Sequence, residues 1–260
     1  MNCIEDGWMR KVGIMSMQRI ANYGSFLQAY ALKQLIEEVG CNVEFVDYHV
    51  GAPVITENAD SKNKVVRKIE KGLETFRYRA PLAHKLSFIR YKQSFAQKYM
   101  PLLGITDEMN YNPTVDCLVI GSDEVFNCIQ KNSNVGYSPE LFGKNNHAKK
   151  LITYAASFGN TTLEKLEKYK KANEVGALLK KFDAISVRDA NSGTIVEQLT
   201  GKEPVYNLDP VLTYDYMNCC DKIPQVQTNE KYLILYAYAG RISNDEADWI
   251  AAYAKKKDRK

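Results

Sequence analysis

The chain is poor in what catalysis by metal or histidine requires. Its three histidines, His49, His84 and His147, are scattered, and its six cysteines form no CxxC and none of the spacings that zinc sites use. Neither a metal cluster nor a Ser/His/Asp triad is expected. The Gly-x-Gly-x-x-Gly and Walker loops are also missing, which excludes the usual dinucleotide and triphosphate enzymes. No apolar run approaches the roughly 20 residues that span a bilayer. Residues 1–10 carry Glu5 and Asp6 and no apolar segment, so they do not read as a signal peptide. The expected setting is cytoplasmic, with reduced cysteines.

Charge of one sign is nearly absent as a global feature, because 35 basic residues face 31 acidic ones. A net +4 is too weak to argue for nucleic acid, and no nucleic-acid partner is expected. The excess is local. From Ser61 to Lys98 there are eleven Lys or Arg against Glu70 and Glu74. Val65, Val66, Ile69, Leu73 and Phe76 repeat at helical spacing there, and a second helical stretch, Leu86 to Tyr99, follows Pro81. This predicts a helical insertion over about residues 61–100. Its lysines either form a solvated face or touch phosphate groups or an anionic membrane.

What remains alternates between strand and helix. Short apolar runs at Lys11–Met17, Val43–Tyr48, Val115–Ile120, Leu151–Ala156, Ala184–Val187 and Pro204–Leu208 read as strands. Helical periods at Ser25–Val39, Leu163–Phe182 and Ser192–Leu199 separate them. The expected fold is α/β, a doubly wound parallel Rossmann-like sheet. Residues 1–215 form this amino-terminal domain and 216–230 a linker. Residues 231–260 then give one strand, Tyr232–Ala239, and one helix capped by Ser243 with Glu246; they either pack on the first domain or start a second Rossmann-like domain, whose apolar faces would lack a full partner layer and invite self-association.

In parallel sheets ligands bind beyond the carboxyl ends of the strands. Those ends are polar here: Asn22, Tyr23, Gly24 and Ser25 after the first strand, Gly121, Ser122, Asp123 and Glu124 after VDCLVI, Ser157, Phe158 and Gly159 after LITYAA, Arg188 after AISV, and Asp209 after PVYNL. Gly24 and Ser25 open a helix whose N–H groups suit an anion, or Asn22 and Ser25 simply cap it. An arginine ending a buried strand needs an anionic partner. That partner is either internal, with Asp189, Asp123 or Asp209 as candidates, or a ligand carboxylate or phosphate gripped by two parallel hydrogen bonds.

At these loops the chain resembles the polysaccharide pyruvyl transferase family. The matching stretches are KVGIMSMQRIANYGSFLQAYALKQLIEEVG from Lys11, DCLVIGSDEVFN from Asp116, ITYAASFG from Ile152, ISVRD from Ile185 and LDPVL from Leu208. The resemblance implies a GT-B-like architecture and transfer of the enolpyruvyl unit of phosphoenolpyruvate to two hydroxyls of a sugar, giving a ketal and phosphate. It implies phosphoenolpyruvate as donor with no cofactor and no metal, a glycan acceptor that is lipid-linked and a role in cell-envelope polysaccharide synthesis; peripheral contact with the inner membrane face is the expectation that the basic insertion adds to such an acceptor. Arg188 resembles the family arginine that binds phosphoenolpyruvate. Asn22, Tyr23, Gly24, Ser25, Gly121, Ser122 and Asp209 resemble substrate-binding positions, and Asp123 a base or sugar-hydroxyl acceptor. Glu124 and Phe126 depart from the family's glutamine and tryptophan, a difference expected to alter acceptor contacts. Two other functions fit the same architecture, a glycosyltransferase using a nucleotide sugar and a noncatalytic glycan- or protein-binding module.

Overall fold

A computed structural model describes residues 4–5, 8–55, 82–130, 135–217, 219, 231–235, 237 and 241–259. Six strands pair in parallel, and among the described residues every connection between them but one carries an α-helix back across the sheet; the exception holds only a 3-10 turn, Pro139–Phe142. They are β3 (Lys11–Met15), β4 (Asn42–Phe45), β5 (Cys117–Asp123), β6 (Lys150–Ala156), β7 (Ser186–Val187) and β8 (Val205–Tyr206). Their order is β4-β3-β5-β6-β7-β8. A two-residue antiparallel pair, β1 (Ile4–Glu5) and β2 (Trp8–Met9), stands apart from this sheet.

The central strands are apolar on both faces, as a sheet covered on both sides demands. Val12 pairs with Val43 on one side and Cys117 on the other, and Leu118 pairs with Leu151. Ile14 and Ile120 are fully buried. Beyond β5 an aromatic core of Phe126, Phe142 and Phe158 fills the space under the loops, with ring centroids 4.7 Å apart for Phe126 and Phe142 and 5.2 Å for Phe126 and Phe158.

The helix after β3, α1 (Tyr23–Glu38), starts two residues earlier than the sequence period predicts. Its buried stripe is Phe26, Ala29, Tyr30, Ala31 and Leu32, while Leu27, Leu35 and Ile36 are only half-buried. Two partners cover this stripe: α2 (Leu82–Leu103) packs on the Phe26 side of α1, and Tyr214 packs on Tyr30. The second inserted helix is therefore present and outside the sheet; the first, predicted from Val65 to Phe76, lies outside the described residues. The single helix predicted from Leu163 to Phe182 is two, α3 (Leu163–Lys168) and α4 (Ala172–Leu179), separated at Lys170 with φ of 56°. A left-handed residue ends a helix whatever the apolar period does. Among the described residues the remaining α-helices are α5 (Ala190–Thr200), α6 (Pro210–Thr213) and α7 (Asn244–Lys256).

The chain divides into two compact units, residues 1–214 and 215–260. In the second, α7 has the expected capping box between Ser243 and Glu246, and none of its residues is buried. The predicted strand from Tyr232 is not formed over residues 231–235 or at 237, and its other residues lie outside the described set. High strand propensity cannot substitute for a partner that satisfies the backbone. Most of the predicted linker, 216–230, also lies outside the described residues. Cys117, Cys128 and Cys219 are free as expected, but Cys41 is disulfide-bonded, against the expectation of reduced cysteines. Pairing between cysteines distant in sequence leaves no local spacing to read.

Candidate active site at the switch point of the sheet

From β3 the chain runs outward to β4 on one side, while every later strand is added on the other. The helices on either side of β3 and β5 thus diverge, and the carboxyl ends of these two strands open a crevice. Ser16 Oγ donates to the Ser122 carbonyl across it at 3.0 Å.

Arg188 follows the buried pair Ser186–Val187 of β7 and reaches back along the rim. Its Nη1 donates to Asp209 Oδ2 at 2.6 Å and its Nη2 to Asp123 Oδ1 at 3.3 Å. Of the two readings open from sequence, the internal ion pair is the one the structure contains, with Asp123 and Asp209 rather than Asp189 as partners. Asp189 is spent elsewhere, capping α5 through the Ser192 N–H and hydroxyl. The Arg188 side chain keeps 21% of its surface accessible, so it is screened from water but not sealed.

Both carboxylates are held by further donors. Asp123 accepts from Ser25 Oγ at 3.0 Å and from the Glu124 N–H at 3.0 Å. It adopts φ of 82°, rare for a residue with a Cβ, and this turns the chain at the end of β5. Asp209 caps α6 through the Val211 N–H and accepts from Gln28 Nε2 at 2.7 Å. Gln28 in turn accepts from Ser122 Oγ at 3.4 Å. One network therefore ties Ser25, Gln28, Ser122, Asp123, Arg188 and Asp209 together, from α1 and the ends of β5, β7 and β8. It carries two carboxylates against one guanidinium.

The other predicted residues serve differently. Asn22 Oδ1 accepts from the N–H groups of Gly24 at 2.7 Å and Ser25 at 3.3 Å, so the two donors that would greet an anion are already used by the cap. Gly121 has φ of 127°, and a Cβ there would run into the Tyr154 carbonyl oxygen of β6, so this position is fixed by strand packing. Tyr23 turns away toward α2. Its hydroxyl lies 3.2 Å from that of Tyr99, and its ring sits 5.3 to 5.5 Å from those of Tyr91, Phe95 and Tyr99. Desolvation raises the Tyr23 phenol above its ordinary value. Phe126, expected to bear on acceptor contacts, is fully buried against Phe142 and cannot touch a ligand in the crevice. Glu124 accepts from Asn127 Nδ2 at 2.8 Å.

Sequence reasoning missed Gln28, although its spacing of three from Ser25 puts both on one side of α1. It also missed Arg19 and Asp47 beside the rim. Arg19 grips Asp47 with two contacts of 2.6 and 2.7 Å and donates to the Thr106 and Glu108 carbonyls, pinning the segment after α2. The neighbouring carboxylate raises the Arg19 guanidinium further above its ordinary value. Burial, with Asp47 adding to it, pushes the Tyr48 phenol up to about 12. Each group here already has its partner, so this corner is structural. Among the described residues no group of three or more His, Cys, Asp and Glu could hold a metal ion, and no helix is long and apolar enough to cross a membrane.

Neither curated proteins nor solved structures gave a match to the chain. A family model does, that of the polysaccharide pyruvyl transferases, over residues 22–258. That span begins at the cap of α1 and takes in every member of the Arg188 network. With a parallel α/β sheet and a polar crevice at its switch point, the chain belongs to the polysaccharide pyruvyl transferase family.

Proposed function

We propose that the protein transfers the pyruvyl group of phosphoenolpyruvate to two hydroxyls of a sugar in a lipid-linked polysaccharide precursor, at the cytoplasmic face of the membrane. In this reaction the methylene carbon of the donor gains a proton and becomes the methyl group. One sugar hydroxyl oxygen bonds to the central carbon, the phosphate leaves with its bridging oxygen, and the second hydroxyl completes the ketal. Of the two hydroxyl protons, one balances that added to carbon and the other leaves with phosphate. The products are the ketal and inorganic phosphate, and the chemistry needs no metal or further cofactor.

The observation that carries this reading is the Arg188 network at the switch point, in a member of this family. In this reading Asp123, which Ser25 and Arg188 hold, accepts a hydrogen bond from a sugar hydroxyl and takes its proton. Asp209 and Ser122 offer further polar contacts to a polyhydroxyl ligand. Arg188 spends two of its five N–H groups on the carboxylates and keeps the others for the donor's carboxylate. Because Asp123 and Asp209 outweigh one guanidinium, the donor's phosphate takes its main positive charge from outside this network.

The test is incubation of the protein with phosphoenolpyruvate and a panel of lipid-linked and free sugars, following phosphate release and the ketal methyl signal by NMR. Phosphate release that depends on a sugar supports the proposal. Consumption of a UDP- or GDP-sugar instead would make it a glycosyltransferase, and sugar binding without turnover of either donor would make it a binding module.

A further inference from the structure

We propose that the outward face of α2 is a docking surface for an anionic phospholipid bilayer. Leu82, Leu86 and Ile89 are spaced four and three residues apart, so they share one stripe of the helix. They are 67%, 54% and 43% exposed. The stripe is not the side by which the helix packs. Phe95, fully buried, and Tyr99 make that contact, against Phe26 and Tyr23 of α1.

Charge identifies the occupant. From Leu82 to Leu103 there are four Lys or Arg and no Asp or Glu. At about 100° per residue, positions 85 and 90 fall about 70° to either side of the stripe. An apolar strip bordered by cations matches the layering of an anionic bilayer surface, with the acyl boundary under the leucines and phosphates beside the lysine and arginine. A second copy of the chain is a poor occupant, because a two-fold contact through this face would set cations against cations with no carboxylate on the helix to offset them. The packed side of α2 meets Tyr23 in the first turn of α1, so a bilayer on the outer side would lie about one helix diameter, roughly 10 Å, from the mouth of the candidate site. The inference stands on this helix and not on the reaction proposed above.

The experiment is co-sedimentation of the full chain with sucrose-loaded phosphatidylcholine vesicles, with and without phosphatidylglycerol. Binding is expected only with the anionic lipid and should weaken as salt rises. The double variant Leu86→Glu, Ile89→Glu should weaken it by at least about tenfold, and Arg90→Gln by about fivefold. Both should melt within a few degrees of the parent chain, since these side chains are exposed. Absence of binding to anionic vesicles, or binding that the double variant leaves unchanged, would overturn the proposal. Loss of a dimer by light scattering in that variant, with vesicle binding retained, would assign the face to a second copy instead.

Discussion

Arg188 contacts Asp209 at 2.6 Å and Asp123 at 3.3 Å, and the shorter contact is the one that Gln28 reinforces. Removing a partner from a fully buried ion pair costs about 3–5 kcal/mol, and an exposed pair contributes about 1 kcal/mol or less. With roughly a fifth of each side chain accessible, Arg188→Ala should cost about 2 kcal/mol by urea unfolding, because two carboxylates lose the cation they share. Arg188→Lys keeps the charge but cannot span both carboxylates with one ammonium. It should cost about 1 kcal/mol while lowering ketal formation by about tenfold or more, read as sugar-dependent phosphate release. An unchanged rate in a folded Arg188→Lys protein would make the residue purely structural. Cys128 illustrates the opposite case, a side chain with no reach to solvent. Burial pushes its thiol up to about 12. A maleimide at mildly alkaline pH should leave Cys128 unlabelled in the native protein and label it in urea, as peptide mapping would report.

At the level of elements, the six strands of the main sheet were legible because a buried parallel strand must be a short apolar run between turn residues. Arg188, Asp123 and Asp209 were legible for the same reason, as polar residues directly after such runs. The partners of Arg188 could not be chosen from sequence, since Asp123 lies 65 residues away and is aimed by a positive φ that no residue pattern encodes. Gln28 was missed because its role depends on how α1 is rotated, and that rotation is set by its tertiary packing against the sheet, α2 and α6. The break at Lys170 was missed because the apolar period continues across it. The start of α1 rests on Asn22, whose side chain takes two orphan N–H groups. Asn22→Ala should therefore cost about 1 kcal/mol by urea unfolding, and Asn22→Asp, which can accept the same bonds, should cost much less. Equal losses in the two variants would mean that Asn22 acts through something other than its cap.

Across the whole molecule the two ends of the sheet divide their work. The carboxyl ends carry the Arg188 network, and the amino ends carry two carboxylates that stitch neighbouring strands. Asp116, just before β5, accepts from the Lys11 N–H at the start of β3 and from Lys149 Nζ. Asp183, before β7, accepts from the Leu151 N–H of β6 and from Lys150 Nζ. The Lys149 ammonium and the Lys11 N–H hold the Asp116 carboxyl below its ordinary value, and the Leu151 N–H and Lys150 do the same for Asp183. A carboxylate whose folded pKa is depressed stabilises the fold fully above its unfolded value, 3.8, and loses that contribution as pH falls through the folded value. The chain should therefore lose stability below about pH 4 through groups far from the candidate site. An Asp116→Asn, Asp183→Asn double variant should unfold at lower urea than the parent chain at neutral pH, and the gap should close as pH drops to about 3 and below. Raising salt should shrink the neutral-pH gap only in part, because the part-buried backbone N–H bonds to these carboxylates are screened less than their exposed lysine partners. A gap that persists undiminished in acid would trace the loss to the altered side-chain geometry and not to the charge.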